Sequence, residues 1–191
     1  RESLAEEELV NKRPSDDYKI VEKCRSCNNI HLERIVSLGK TPPANNLLSI
    51  EDVNKIEEKY PLEMLYCSSC HLCQLSCVVS PEKMFKHYLY VTSTTETFRK
   101  HFKEMADSIT DDFKLNSGSL VVDIGSNDGL LLKTFLEKGI RVLGVEPASN
   151  IAIPARNSGV DTTNDFFNDK LVKGIIDIKG KADVITANNV F

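Results

Sequence analysis

A chain of 191 residues, 41% hydrophobic and 27% charged, has room for one ordinary domain, or for a small module joined to part of a larger one. Its formal net charge of -4 argues against a partner such as nucleic acid, which calls for a basic face, and no apolar run is long enough to span a bilayer. The N-terminus, Arg1-Glu2-Ser3-Leu4-Ala5-Glu6-Glu7-Glu8, is acidic where a secretory signal would be basic, so composition predicts a cytoplasmic protein with no membrane partner.

Four stretches follow one another along the chain. Residues 1–18 form a polar arm, possessing charge but little apolar periodicity. Residues 19–80 hold all 6 cysteines and the turn-rich segment Gly39-Lys40-Thr41-Pro42-Pro43-Ala44-Asn45-Asn46. Residues 81–117 read largely as a helical connector after Pro81, with Phe98, Phe102, Met105, Ile109 and Phe113 at three- and four-residue steps as a core-facing stripe.

From Gly118 short apolar runs alternate with helical stretches. Strands are predicted at Ser119–Ile124, Arg141–Glu146, near Val160–Thr162, and at Ala182–Asn188; helices at Leu130–Lys138 and Ala148–Asn157. This alternation implies an α/β fold, the first part of a doubly wound, Rossmann-like parallel sheet over residues 118–191, preceded by a small cysteine-rich domain. A parallel strand followed only by Asn189-Val190-Phe191 lacks its crossover helix, which suggests the N-terminal portion of a longer polypeptide.

In a reducing compartment, paired cysteines more often hold a metal than form disulfides. Cys24-Arg-Ser-Cys27 and Cys67-Ser-Ser-Cys70 are two Cys-x-x-Cys hooks, each able to present two thiolates to one ion. Together they complete the tetrahedral sulfur shell of structural zinc, with no open position for chemistry. Residues 28–66 between the hooks exceed compact ribbon spacing, so an embedded helix or hairpin must fill the gap. Cys73 and Cys77 are alternative ligands, because Cys70-His-Leu-Cys73 repeats the spacing; His31 and His71 are possible substitutes.

Asp123-Ile-Gly125-Ser-Asn127-Asp128-Gly129 follows a strand and opens a helix. Its glycines allow close approach of a ligand, and Glu146 at the end of the next strand can accept from both hydroxyls of a ribose. A dinucleotide needs Gly-x-Gly-x-x-Gly, whereas Asn127 stands at the middle position, the last glycine comes one residue early, and Asp123 and Asp128 would face a pyrophosphate. S-adenosylmethionine has no phosphate, and its ammonium and sulfonium groups favour nearby carboxylates. Further along, Asp165 is placed to accept from an adenine amino group while Phe166 or Phe167 covers the ring. Asn188 and Asn189, at the carboxyl edge of the sheet, could face the methionyl part or the acceptor, or cap a helix.

A resemblance joins these pieces. Cys24-x-x-Cys27, Leu38-Gly39, Pro42 to Leu48, Tyr60-Pro61-Leu62, Cys67-x-x-Cys70 with Gln74-Leu75, Pro81-Glu82-x-Met84-Phe85 and Tyr88-x-Tyr90 resemble the zinc-binding N-terminal domain of sugar C-methyltransferases. Val121 to Leu131 and Gly144-Val-Glu146-Pro147 resemble the donor-binding half of those enzymes. The resemblance implies methyl transfer from S-adenosylmethionine to a ring carbon beside the keto group of a nucleotide-linked 4-keto-deoxysugar, a small-molecule substrate. It also implies donor contacts through Glu146 and Pro147, and an active-site tyrosine from the N-terminal module, Tyr90 first and Tyr88 next. The family's catalytic His and Glu come after the Asn-Asn-Val segment, so the 191-residue chain is expected to be inactive alone. A different acceptor, a non-catalytic zinc-ribbon module with a degenerate nucleotide-binding fold, and a dehydrogenase are the competing readings.

Overall fold

The structure is a computed structural model that describes residues 17–44 and 46–190. The expected polar arm falls mostly on residues 1–16, which lie outside the described residues, as do Asn45 and Phe191. Two compact units divide the chain, the first ending at Met84 and the second beginning at Phe85.

The first unit is built from short antiparallel strands. β1 (Tyr18–Ile20) pairs with β5 (Cys77–Val79), and β2 (Leu32–Thr41), β3 (Tyr60–Cys67) and β4 (Cys73–Leu75) form a second sheet in that order. The stretch between the hooks is thus an antiparallel pair, β2 with β3, joined by a long loop. Its register shifts between Arg34 and Val36 and again between Ser37 and Lys40, the second shift containing Gly39 at φ 77, as bulges require. Apolar burial is thin here: among the described residues the buried hydrophobics are Cys24, Tyr60, Cys67 and Cys77.

The second unit carries a four-stranded parallel sheet: β6 (Leu120–Ile124), β7 (Arg141–Val145), β8 (Thr162–Thr163) and β9 (Val184–Ala187), in the order β8-β7-β6-β9. Numbered within the sheet this is 3-2-1-4, the leading half of a doubly wound fold. Alternation along the strands fills both faces. Val121 and Val142 pack with Phe102, Ala106, Leu131, Leu132 and Phe135 on one side; Leu120, Val122, Leu143 and Val145 pack with Leu171 and Ile175 on the other. The helices are α2 (Glu96–Asp112), α3 (Leu130–Glu137), α4 (Ser149–Asn157) and α5 (Asp169–Lys179), preceded by the short α1 (Pro81–Phe85).

Three elements differ from the sequence expectation. The helical connector over 81–117 is broken: residues 86–91 are not helical and Thr92–Thr94 form a single 3-10 turn before α2. The run Val91-Thr-Ser-Thr-Thr95 is rich in β-branched side chains, which lose χ1 freedom in a helix, and Thr95 caps α2 by accepting from the Phe98 N–H. The third strand lies at Thr162–Thr163 rather than starting at Val160. Helix α5 was not anticipated at all, although Asn168 caps it by accepting from the Leu171 N–H and Leu171 and Ile175 recur at the four-residue step of a buried helix face.

Candidate functional site

The two hooks fold alike. Cys24 accepts from the Asn28 N–H at 2.9 Å and Cys67 accepts from the His71 N–H at 2.8 Å, both through backbone carbonyls. Asn28 and His71 occupy equivalent left-handed positions, φ 61 and φ 62, just after the second cysteine of each hook. The buried Gln74 ties this arrangement together, accepting from the Arg25 N–H and donating to the Lys23 carbonyl.

As a result the Sγ atoms of Cys24, Cys27, Cys67 and Cys70 all lie within 4.8 Å of one another. Cys24 and Cys70 are 3.5 Å apart and Cys27 and Cys67 3.6 Å. These separations are far beyond a bonded pair at about 2.05 Å and close to the ~3.8 Å edge of a tetrahedron with metal–sulfur bonds of about 2.3 Å. The residues present therefore fit zinc, and four sulfurs close its shell. Backbone N–H groups aimed at the sulfurs support the thiolates. The Cys70 N–H pulls the Cys67 thiol down to about 6, and the Cys27 N–H lowers Cys24. Cys70 is favoured by the Leu72 N–H, but the neighbouring sulfurs of Cys24 and Cys27 outweigh it and push its thiol up to about 12. Cys73 is exposed on β4 and Cys77 is buried on β5; neither joins the cluster. His71 instead pairs its ring with the Tyr66 hydroxyl.

The second site is the turn after β6. Gly125, Asn127 and Gly129 all have positive φ, 66, 50 and 75, so the chain reverses tightly before α3. A Cβ at Gly129 would meet Val160 at 2.9 Å. Around the turn stand acids with no ion pair among the described residues. Asp123 is 4% exposed and accepts from the Thr186 hydroxyl at 2.7 Å; burial, with the nearby Glu146 charge, pushes its carboxyl up to about 6. Glu146 is buried and accepts from the Asn127 and Ala148 N–H groups at 2.9 and 2.8 Å. Burial raises its pKa against those hydrogen bonds. Each of its oxygens keeps a second lone pair. Asp128 accepts from the Ser93 N–H through Oδ2, while its buried Oδ1 has no hydrogen-bond partner among the described residues.

Asn127 bonds through its side chain to the backbone of the segment before α2. Its Nδ2 donates to the Tyr90 carbonyl and its Oδ1 accepts from the Thr92 N–H, both at 2.9 Å. Tyr88 is held by Asn150 of α4. Tyr88 and Tyr90 therefore sit in the second unit, not in the cysteine-rich one, on a strap that crosses the turn; Tyr90 is 43% exposed. Pro147 is half-buried, and its carbonyl and that of Glu146 both accept from Asn164 Nδ2. Asp165 is exposed and accepts from the Phe166 N–H; Phe166 and Asn188 are half-buried. The sequence reading missed Asn150, Asn164 and Thr186, single polar residues whose partners lie far along the chain.

A parallel sheet of this order with a glycine turn at its carboxyl edge defines a Rossmann-like α/β fold, and the four-sulfur module before it in the chain defines a metal-binding domain. Residues 24–85 match a family model described as "Putative zinc binding domain". The chain is 35% identical over 176 residues to C-methyltransferase NovU of Streptomyces niveus, a match covering 92% of this chain and 42% of that protein. The chain is thus similar to this C-methyltransferase over less than half of that protein's length. A solved RNA methyltransferase from Salinibacter ruber, in complex with S-adenosyl-L-homocysteine, is 20% identical with a TM-score of 0.34, over 49% of this chain and 58% of that one; a likeness that slight carries no argument. Among the described residues no helix is long and apolar enough to cross a membrane.

Proposed function

We propose that this chain forms the zinc-binding and donor-binding parts of an S-adenosylmethionine-dependent C-methyltransferase. The observation that carries the reading is the acid-lined turn. Asp123, Asp128 and Glu146 gather buried or half-buried carboxylates around a backbone that admits close approach, and the lone Oδ1 of Asp128 is an acceptor that a ligand's donor group would satisfy. That chemistry suits a cationic ligand and opposes a pyrophosphate. Glu146 would hold the ribose hydroxyls with its remaining lone pairs, Asp123 and Asp128 would face the positive groups, and Pro147, Asp165, Phe166 and Asn188 would line the rest of the donor. When bound, S-adenosylmethionine supplies an electrophilic methyl group on a sulfonium.

The relative's name states carbon methylation and says nothing of the acceptor. The residues that carry the resemblance to sugar C-methyltransferases favour a nucleotide-linked 4-keto-deoxysugar, whose ketone acidifies the neighbouring ring C–H. Deprotonation there gives an enolate whose carbon is nucleophilic. The strap tyrosines, Tyr90 before Tyr88, are the candidates from this chain to hydrogen-bond that substrate. The zinc module, its sulfur shell closed, holds the fold.

The test is transfer of labelled methyl by the complete gene product to a nucleotide-linked 4-keto-deoxysugar. Transfer to a ring carbon, with solvent deuterium entering at that carbon when the donor is omitted, supports the reading. Methylation of an oxygen or nitrogen would overturn the carbon-acid chemistry.

A further inference from the structure

The segment Tyr88 to Ser93 has few of the backbone partners that a helix or sheet would supply. Side-chain amides stand in for them. Asn150 donates to the Tyr88 carbonyl at 2.6 Å and accepts from the Tyr88 N–H at 3.1 Å. Asn127 donates to the Tyr90 carbonyl and accepts from the Thr92 N–H, 2.9 Å each. Each asparagine thus offers one donor and one acceptor to the strap, as a neighbouring strand would, and the contacted backbone groups belong to alternate residues, 88, 90 and 92. Asp128 adds a third tie at the Ser93 N–H, 3.2 Å.

Asn127 also reaches the other way. Its backbone N–H donates to Glu146 Oε2 at 2.9 Å, and its side-chain oxygen accepts from the Asp128 N–H at 3.0 Å. One residue therefore joins the Glu146 carboxylate to the tyrosine strap. Aspartate in its place would lose the donor to Tyr90, and alanine would strain a left-handed φ of 50.

We propose that Asn127 and Asn150 are positioning residues that pin the Tyr88–Ser93 strap over the glycine turn and so set where Tyr88 and Tyr90 stand. The proposal rests on the donor reading above only for its consequence in the reaction; the pinning itself does not need a ligand. It also reassigns Asn127 from direct donor contact to holding the strap.

Amide exchange read residue by residue on the zinc-loaded chain tests it. Asn127→Gly keeps the left-handed backbone and removes the amide; exchange at Thr92 is expected to rise about tenfold or more. Asn150→Ala should raise exchange at Tyr88 and leave Thr92 nearly unchanged. The β6 amides of Val121 and Val122 must keep wild-type protection in both, which separates loosening of the strap from unfolding. Saturation with S-adenosylhomocysteine should slow Thr92 exchange in the wild type but not in Asn127→Gly, a response that a merely structural side chain would not remove. Unchanged Thr92 and Tyr88 exchange in the two variants overturns the proposal, even if the wild type binds S-adenosylhomocysteine. Loosened exchange in the variants with no binding of S-adenosylhomocysteine to the wild type upholds the strap and counts against the donor reading.

Discussion

Asp123 is a carboxyl that the fold would rather keep protonated. Its pKa of about 6 against an ordinary 3.8 means that between those values the folded chain retains a proton which the unfolded chain has released. Stability therefore falls as pH rises through that window and levels off above it, where the ionised group costs on the order of 3 kcal/mol. Glu146, also raised by burial, acts in the same direction. Asp123→Asn keeps an oxygen for the Thr186 hydroxyl, so its unfolding free energy in urea titrations at pH 7.5 is expected to exceed the wild type's by about 1–3 kcal/mol, and to converge on the wild type near pH 4. Equal stability at pH 7.5 would contradict the burial argument. The cysteines make a second residue-scale prediction: Cys24→Ala should lose the metal by elemental analysis, whereas Cys73→Ser, outside the cluster, should retain it.

At the scale of elements, the same glycine substitution should act in opposite directions. Gly129→Ala meets both a φ of 75 and Val160 at 2.9 Å, so a loss of about 1–3 kcal/mol is expected by chemical denaturation. Gly174→Ala, inside α5 with nothing within 4 Å, should stabilise by about 0.5–1 kcal/mol. A Gly129→Ala chain as stable as the wild type would mean that the turn relaxes freely. The sheet strands were legible in the sequence because short apolar runs bounded by glycine admit few readings. The break in the 81–117 helix was legible only in its local part, the β-branched run Val91–Thr95, since the path of residues 88–93 also depends on Asn127, Asp128 and Asn150 capturing their backbone. Asparagine bonded to a distant backbone leaves no period and no spacing. Helix α5 was legible in principle from Asn168 and the Leu171–Ile175 step, but its high polarity masked it.

Across the molecule, the two units differ in what holds them. The second unit has apolar residues packed on both faces of its sheet, whereas the buried hydrophobics described in the first are three cysteines and Tyr60. A domain with so small a core depends on its metal, so a strong chelator should abolish the protection of the β2–β3 amides while leaving those of β6 and β7 intact. Loss of both together would contradict that division. The four metal-facing cysteines were readable from the repeated Cys-x-x-Cys spacing because the chemistry of the ion dictates it. The acids of the glycine turn were readable as a group, but their separate partners depend on three-dimensional packing.

The central claim is that this turn receives a cationic, phosphate-free methyl donor. Calorimetric titration of the zinc-loaded complete gene product with S-adenosylhomocysteine, and separately with NADH, tests it most directly. Saturable binding of S-adenosylhomocysteine is expected, weakened about tenfold or more by Glu146→Gln, and none of NADH. Saturable binding of NADH with no heat from S-adenosylhomocysteine would contradict it.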